Sequence, residues 1–176
     1  MSYREIEAAE VPRLHPVSSF STFWHGRKDS AAVPLRSDIE PTKIPAILPW
    51  LMILEVIEIE GVTQFRYRLT GTGCREIFGI DYTGKMLGEA LTPEGAEIRR
   101  REFLRIIDNG QPIYSWSELP IAERDFMKVY RGVFPVSRGG ERVDQIFLVI
   151  AAETLELNPV THAARHHRQQ ARMSTL

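Results

Sequence analysis

The stretch Pro34–Leu87, PLRSDIEPTKIPAILPWLMILEVIEIEGVTQFRYRLTGTGCREIFGIDYTGKML, decides the fold. It opens with a proline-punctuated approach. Between Pro41 and Pro49 the pattern predicts a short turn of helix through Ile44–Leu48, with Asp38 or Thr42 as its cap. Strand signals begin at Trp50. Leu51–Ile59 is rich in β-formers, Glu60-Gly61 is a turn, and Thr63–Thr70 follows, so the pair reads as a hairpin. In the second strand Phe65, Tyr67 and Leu69 alternate with Gln64, Arg66 and Arg68, a period of two that marks one buried and one wet face. The first strand gives no such sorting, because Leu51–Val56 is apolar on both sides apart from Glu55. Gly71 and Gly73 punctuate the chain, Cys74–Phe78 makes a helical turn or two ended by Gly79, and Asp81–Gly84 is a further turn.

On the N-terminal side, residues 1–14 carry no clear period and read as a flexible lead. His15-Pro16 opens a helix, since proline suits a first helical position whose N–H would lack a partner anyway. Val17, Phe20, Phe23 and Trp24 follow at helical spacing as one apolar stripe that stops near Gly26. On the C-terminal side, Thr92 caps and Pro93 starts the longest helix, Glu94 to Asp108, closed by Asn109-Gly110. Its residues Ile98, Phe103, Ile106 and Ile107 face a core, while Arg99, Arg100, Arg101 and Arg105 mostly face water. Strands are predicted near 112–121, 126–136 and 143–152, the last two joined at Arg138-Gly139-Gly140. Short connections within each strand group require antiparallel pairing. The fold class is therefore α+β: a five-stranded antiparallel sheet, crossover helices on one face and an N-terminal flanking helix. The domain spans 15–155, and residues 156–176 form a basic tail rich in His and Arg.

Size and composition are those of an ordinary globular domain. The chain has 176 residues, 43% hydrophobic and 26% charged, enough to bury a core without metal or disulfide staples. A formal net charge of −1 argues against broad capture of nucleic acid or an anionic membrane. The single cysteine, Cys74, allows no intrachain disulfide and fits a reducing, cytoplasmic setting. The N-terminus lacks the apolar core of a signal peptide. The longest apolar stretch, Ile44–Ile59, is broken by Pro45, Pro49, Glu55 and Glu58 and is no membrane span.

The run from Phe23-Trp24 through Pro34-x-Arg36-x-Asp38-Ile39-x-Pro41, Leu48-Pro49, Tyr67-Arg68-Leu69-x-Gly71-Thr72 and Phe78-Gly79-x-Asp81-x-Thr83-Gly84-Lys85 resembles a bacterial PAS-like family. That family is known mostly from alphaproteobacteria as small proteins of unknown function. The resemblance covers about residues 20 to 150 and implies a PAS fold with a small internal pocket. Such domains bind a small ligand, a cofactor or a protein partner, and commonly dimerise through a flanking helix. Gly71-Thr72-Gly73-Cys74-Arg75 echoes the cysteine motif of blue-light flavin PAS domains. In those the cysteine belongs on a later helix, where this chain has Tyr82-Thr83-Gly84-Lys85, so Cys74 reads as a buried core thiol. A haem-binding PAS domain takes an axial histidine from its long helix or nearby, and Glu94–Asp108 holds none. No cofactor is named.

The pocket candidates are Phe65, Tyr67, Leu69, Trp116 and Tyr130, with core packing as the alternative role for these aromatics. The stripe Val17, Phe20, Phe23 and Trp24 is either core of its own domain or the seam of a homodimer. Gly71-Thr72-Gly73 reads as a tight strand-to-helix turn rather than an anion cradle, and Arg99–Arg101 as a solvated helix face. His162 and His166 lie four apart, but no carboxylate or cysteine is near to complete a metal site. There is no phosphate loop, serine elbow or zinc spacing. The expected function is a non-enzymatic sensory module that binds a small molecule or a protein and signals through a separate partner. A ligand-free interaction scaffold and a small-molecule enzyme on a cone-like fold are the alternatives. The enzyme would need a titratable pair inside the cavity, where acidic residues on the inner strand face are scarce.

Overall fold

The computed structural model describes residues 3–27, 33–121 and 124–158. Within them lie strands β1 (Tyr3–Ile6), β2 (Leu51–Ile59), β3 (Val62–Thr70), β4 (Ile113–Ile121), β5 (Arg124–Val136) and β6 (Gln145–Ala152), and helices α1 (Pro16–His25), α2 (Thr72–Phe78) and α3 (Pro93–Asn109). The strands form one sheet in the order β1-β4-β5-β6-β2-β3, every neighbour antiparallel. Five of these are the expected strands. The sixth corrects the reading of residues 1–14 as a flexible lead: β1 extends the β4 edge, with Tyr3 opposite Ser117 and Ile6 opposite Tyr114. Ile6 and Val11 are buried. Four residues are too few to show a period, and β1 is defined by its partner strand.

Local chemistry sets most of the boundaries. Glu60 and Gly61 have φ of 52° and 75°, the double left-handed turn that matches strand twist and joins β2 to β3. Thr92 Oγ1 accepts the Gly95 N–H at 3.1 Å at the start of α3, and Gly110 closes it at φ 65°. The proline-rich approach is a run of short turns. Three 3-10 turns form at Arg36–Asp38, Pro41–Lys43 and Leu48–Trp50, and between the last two the Ile47 and Leu48 N–H groups both donate to the Ile44 carbonyl, at 3.0 and 3.2 Å, closing the single helical turn expected through Ile44–Leu48. Each proline disfavours helical backbone in the residue before it, so these turns stay short and do not merge into one regular helix.

The sheet is covered on both faces. Helices α2 and α3 lie over the inner face, where Met52, Leu54, Phe65, Phe103, Val133 and Leu148 form one apolar cluster. Helix α1 lies over the opposite, outer face. There Phe20 sits 4.9 Å from Phe134 and 6.0 Å from Phe147, ring centre to ring centre. The Trp24 Nε1–H donates to the Pro135 carbonyl at 2.9 Å. Val17, Phe20 and Trp24 are fully buried against their own sheet, so the stripe is core in cis. Of the two expected roles this is the first: of those four residues only Phe23 keeps partial exposure, with the Arg27 guanidinium 4.8 Å from its ring.

His15 caps α1 from a fully buried position. Its Nδ1 accepts the Val17 N–H at 3.2 Å, which leaves the proton on Nε2, 3.1 Å from the Ala152 carbonyl. Burial holds its pKa below the ordinary 6.5. The unfolded chain therefore takes up a proton that the folded chain refuses, and stability falls as pH drops below about 6.5. His15→Asn keeps a capping acceptor but cannot titrate. Urea midpoints measured between pH ~7.5 and ~5.5 are expected to show a flatter slope for that variant. An identical slope would remove His15 as the source.

Candidate functional site

Helix α3 presents Arg99, Glu102, Phe103 and Ile106 to the inner face of the sheet, at the spacing of one helical stripe. Phe103 and Ile106 join the apolar cluster. Glu102, 5% exposed, is the centre of an ion cluster. Arg131 of β5, 2% exposed, places Nη1 at 2.9 and 2.8 Å from its two carboxylate oxygens. The Arg99 Nη1 donates to Oε2 at 3.1 Å, and the Tyr3 hydroxyl to Oε1 at 2.6 Å. The Arg99 guanidinium also lies 5.1 Å over the Tyr3 ring. One carboxylate thus ties α3 to the centre of the sheet and to its β1 edge.

Burial by itself would raise the Glu102 carboxyl. The guanidiniums of Arg131 and Arg99 and the Tyr3 hydroxyl outweigh it and hold the carboxyl below its ordinary range. The Tyr3 hydroxyl is pushed upward, by burial first and then by the adjacent carboxylate. Tyr67, buried on the same face, is raised to about 12 by desolvation despite the fields of Arg131 and Arg99.

Three buried polar atoms beside the cluster have no hydrogen-bond partner: Arg131 Nη2, Ser115 Oγ and Ser117 Oγ. Strand register brings them together. Ser115 pairs directly with Arg131 across β4 and β5, and Ser117 lies two residues along on the same face. Both serines are fully buried. In a folded protein such atoms are few, and each asks for an explanation.

The structure divides the sequence-predicted pocket residues. Phe65 and Tyr67 lie on the inner face as expected. Leu69 does not. A bulge makes Arg68 an extra residue, so Tyr67 pairs with Leu54 while Leu69 pairs with Ile53 on the outer face, where it is 42% exposed. Trp116 and Tyr130 oppose one another in register, also on the outer face, packed with the α1 cluster. The Trp116 Nε1–H donates to Glu153 at 3.0 Å, and the Tyr130 ring meets the His15 ring edge-on at 5.3 Å. Both faces are roofed, so aromatic residues do not report which one holds a site. Sequence reading missed Glu102, Arg99 and Arg131. Arg99, expected in water, is largely buried with a side chain 12% exposed. The available signal was that Arg99 and Glu102 share the α3 stripe of Phe103 and Ile106.

Other candidates resolve simply. A Cβ on Gly71 would lie 2.4 Å from the Pro49 carbonyl oxygen, and one on Gly73 2.5 Å from the Trp50 ring. Close packing therefore accounts for both glycines, as the turn reading expects. Cys74 is fully buried and burial raises its thiol to about 12. On the outer face a groove of about 420 Å³ runs between the 3-10 turns and the start of α2, with Leu69, Pro41, Leu48 and Phe147 in its lining. His162, His166, His167 and the rest of the basic tail lie outside the described residues.

An antiparallel sheet whose helical crossover roofs its inner face is the architecture of a PAS-type sensory or regulatory module. Residues 13–127 match the family described as PAS domain, more than half of the chain, and the chain belongs to that family. No curated protein matches the sequence. Among solved structures, that of an RNA-binding light-oxygen-voltage receptor is similar at 17% identity and a TM-score of 0.42. That similarity covers 72% of this chain, which spans only 35% of the receptor chain. Among the described residues no helix is long and apolar enough to cross a membrane.

Glu102→Gln leaves two buried guanidiniums without their carboxylate. It is expected to cost about 3–5 kcal/mol in urea denaturation. Tyr3→Phe removes one hydrogen bond to a charged acceptor and is expected to cost less, about 1.5–3 kcal/mol. Losses below about 1 kcal/mol for both variants would mean the cluster does not hold α3 in place.

Proposed function

We propose that this chain is a PAS regulatory module that holds a small molecule against the inner face of its sheet, beneath α3, and passes its bound state to a partner protein. The observation that carries this reading is the set of unpartnered polar atoms, Arg131 Nη2, Ser115 Oγ and Ser117 Oγ, grouped on the inner face. A purely structural core is more stable with apolar groups at such positions. The same Arg131 also bonds Glu102 of α3. A ligand that draws on Arg131 therefore changes the hold on the helix, and one that favours a single helix position shifts the population toward it.

The chemistry favours binding over catalysis. Three side chains already donate to the Glu102 carboxylate, so it is a poor proton acceptor. The Cys74 thiol, raised to about 12, is protonated at neutral pH and is a weak nucleophile.

Native mass spectrometry of the freshly purified full chain tests the reading and also reports the oligomeric state. The expected result is a mass excess that disappears on denaturation, and a thermal stability that drops when the bound molecule is dialysed away. An empty protein whose melting temperature is unmoved by a broad metabolite set would favour a ligand-free interaction scaffold instead.

A further inference from the structure

We propose that the molecule held beneath α3 is a small anion of carboxylate type, bound by Arg131 Nη2 and the hydroxyls of Ser115 and Ser117. This rests on the small-molecule reading above and adds the ligand's chemical class.

Charge balance leads to it. The cluster under α3 holds two guanidiniums, Arg99 and Arg131, against the single carboxylate of Glu102. The next pair along the helix, Arg105 with Glu5, is neutral by itself. One positive charge is therefore in surplus among groups that are 2%, 5% and 12% exposed. A buried charge without a counter-charge is costly, and a bound anion supplies one. The protein's own tyrosines do not take that role. Tyr3 and Tyr67 are both raised well above neutral pH and stay protonated.

The geometry of the free donors agrees. An Nη2 group and two hydroxyls can each point a hydrogen at one acceptor. Nη1 of Arg131 already binds Glu102, which leaves the other guanidinium nitrogen directed elsewhere. Ser115 stands directly across from Arg131, and Ser117 continues the same row. A carboxylate accepts from several donors at once and matches a planar guanidinium. A neutral ligand would leave the surplus charge unanswered. The free atoms have essentially no accessible surface in this structure, so a bound group must open the space that it occupies, and a small one costs least. Arg99, more exposed than Glu102 or Arg131, lies toward solvent.

The test compares acetate and propionate with acetamide and propionamide, at ionic strength matched with sodium chloride, on the full-length chain. Melting temperature and isothermal titration are the readouts. The expected result is a saturable stabilisation by the carboxylates and none by the amides. Two variants separate binding from folding. Ser115→Ala with Ser117→Ala removes unpartnered hydroxyls without touching the ion cluster. It should leave the ligand-free protein as stable or more so, and weaken carboxylate affinity by about tenfold or more. Arg131→Lys keeps a charge for Glu102 but loses the second nitrogen, and should abolish the response. Equal effects of amides and carboxylates, or unchanged carboxylate affinity in the double serine variant, would overturn the inference. A neutral molecule retained by the purified chain would do the same while leaving the small-molecule reading intact. No retained molecule, and no response to either series, would remove both.

Discussion

Helix α1 lies on one face of the sheet and α2 and α3 on the other, so the central strands have no wet side. Strand β6 is buried along almost its whole length, and β2 sends Leu51 and Ile53 to the α1 cluster and Met52 and Leu54 to the inner one. Double burial draws the apolar stripe of α1 into its own domain. It distributes large aromatics over both faces. It also means that any polar group on an inner position must find a partner inside the protein or bear the cost of going without.

The ion cluster answers that demand only in part. Glu102 satisfies Arg131, Arg99 and Tyr3 through one carboxylate, linking a helix, a central strand and an edge strand. Such a cluster is expensive to break and contributes little net stability compared with apolar packing. Its value is positional: it fixes α3 above one part of the sheet. Arg131 is the shared element between that fixation and the free donors of β4. In the proposed ligand-binding reading, this arrangement would let occupancy at the strand be felt at the helix without a long relay.

The hairpin of β2 and β3, the caps of α3 and the three later strands were legible because each rests on chemistry a few residues wide. Alternation, a threonine cap and glycines at left-handed positions act locally, and they survive whatever packs around them. Of the pocket candidates only Phe65 and Tyr67 share the inner face with the candidate site. Strict alternation placed Leu69 with them, and a single bulge at Arg68 sent it to the other face. Trp116 and Tyr130 were assigned by residue type, which loses meaning when both faces are dry. Ser115 and Ser117 alternate with Tyr114 and Trp116 along β4, and the serines are on the buried inner side.

The sequence by itself determined the class of fold, the order of its principal elements and the apolar stripes of α1 and α3. These come from periodicity and turn chemistry, which are properties of neighbouring residues. Only the tertiary structure decided that Tyr3, Arg99, Glu102 and Arg131 meet around one carboxylate. Tyr3 and Glu102 are 99 positions apart, and Glu102 and Arg131 are 29 apart. The energy of a charged group depends on what the rest of the chain brings to its side, and no local pattern encodes that.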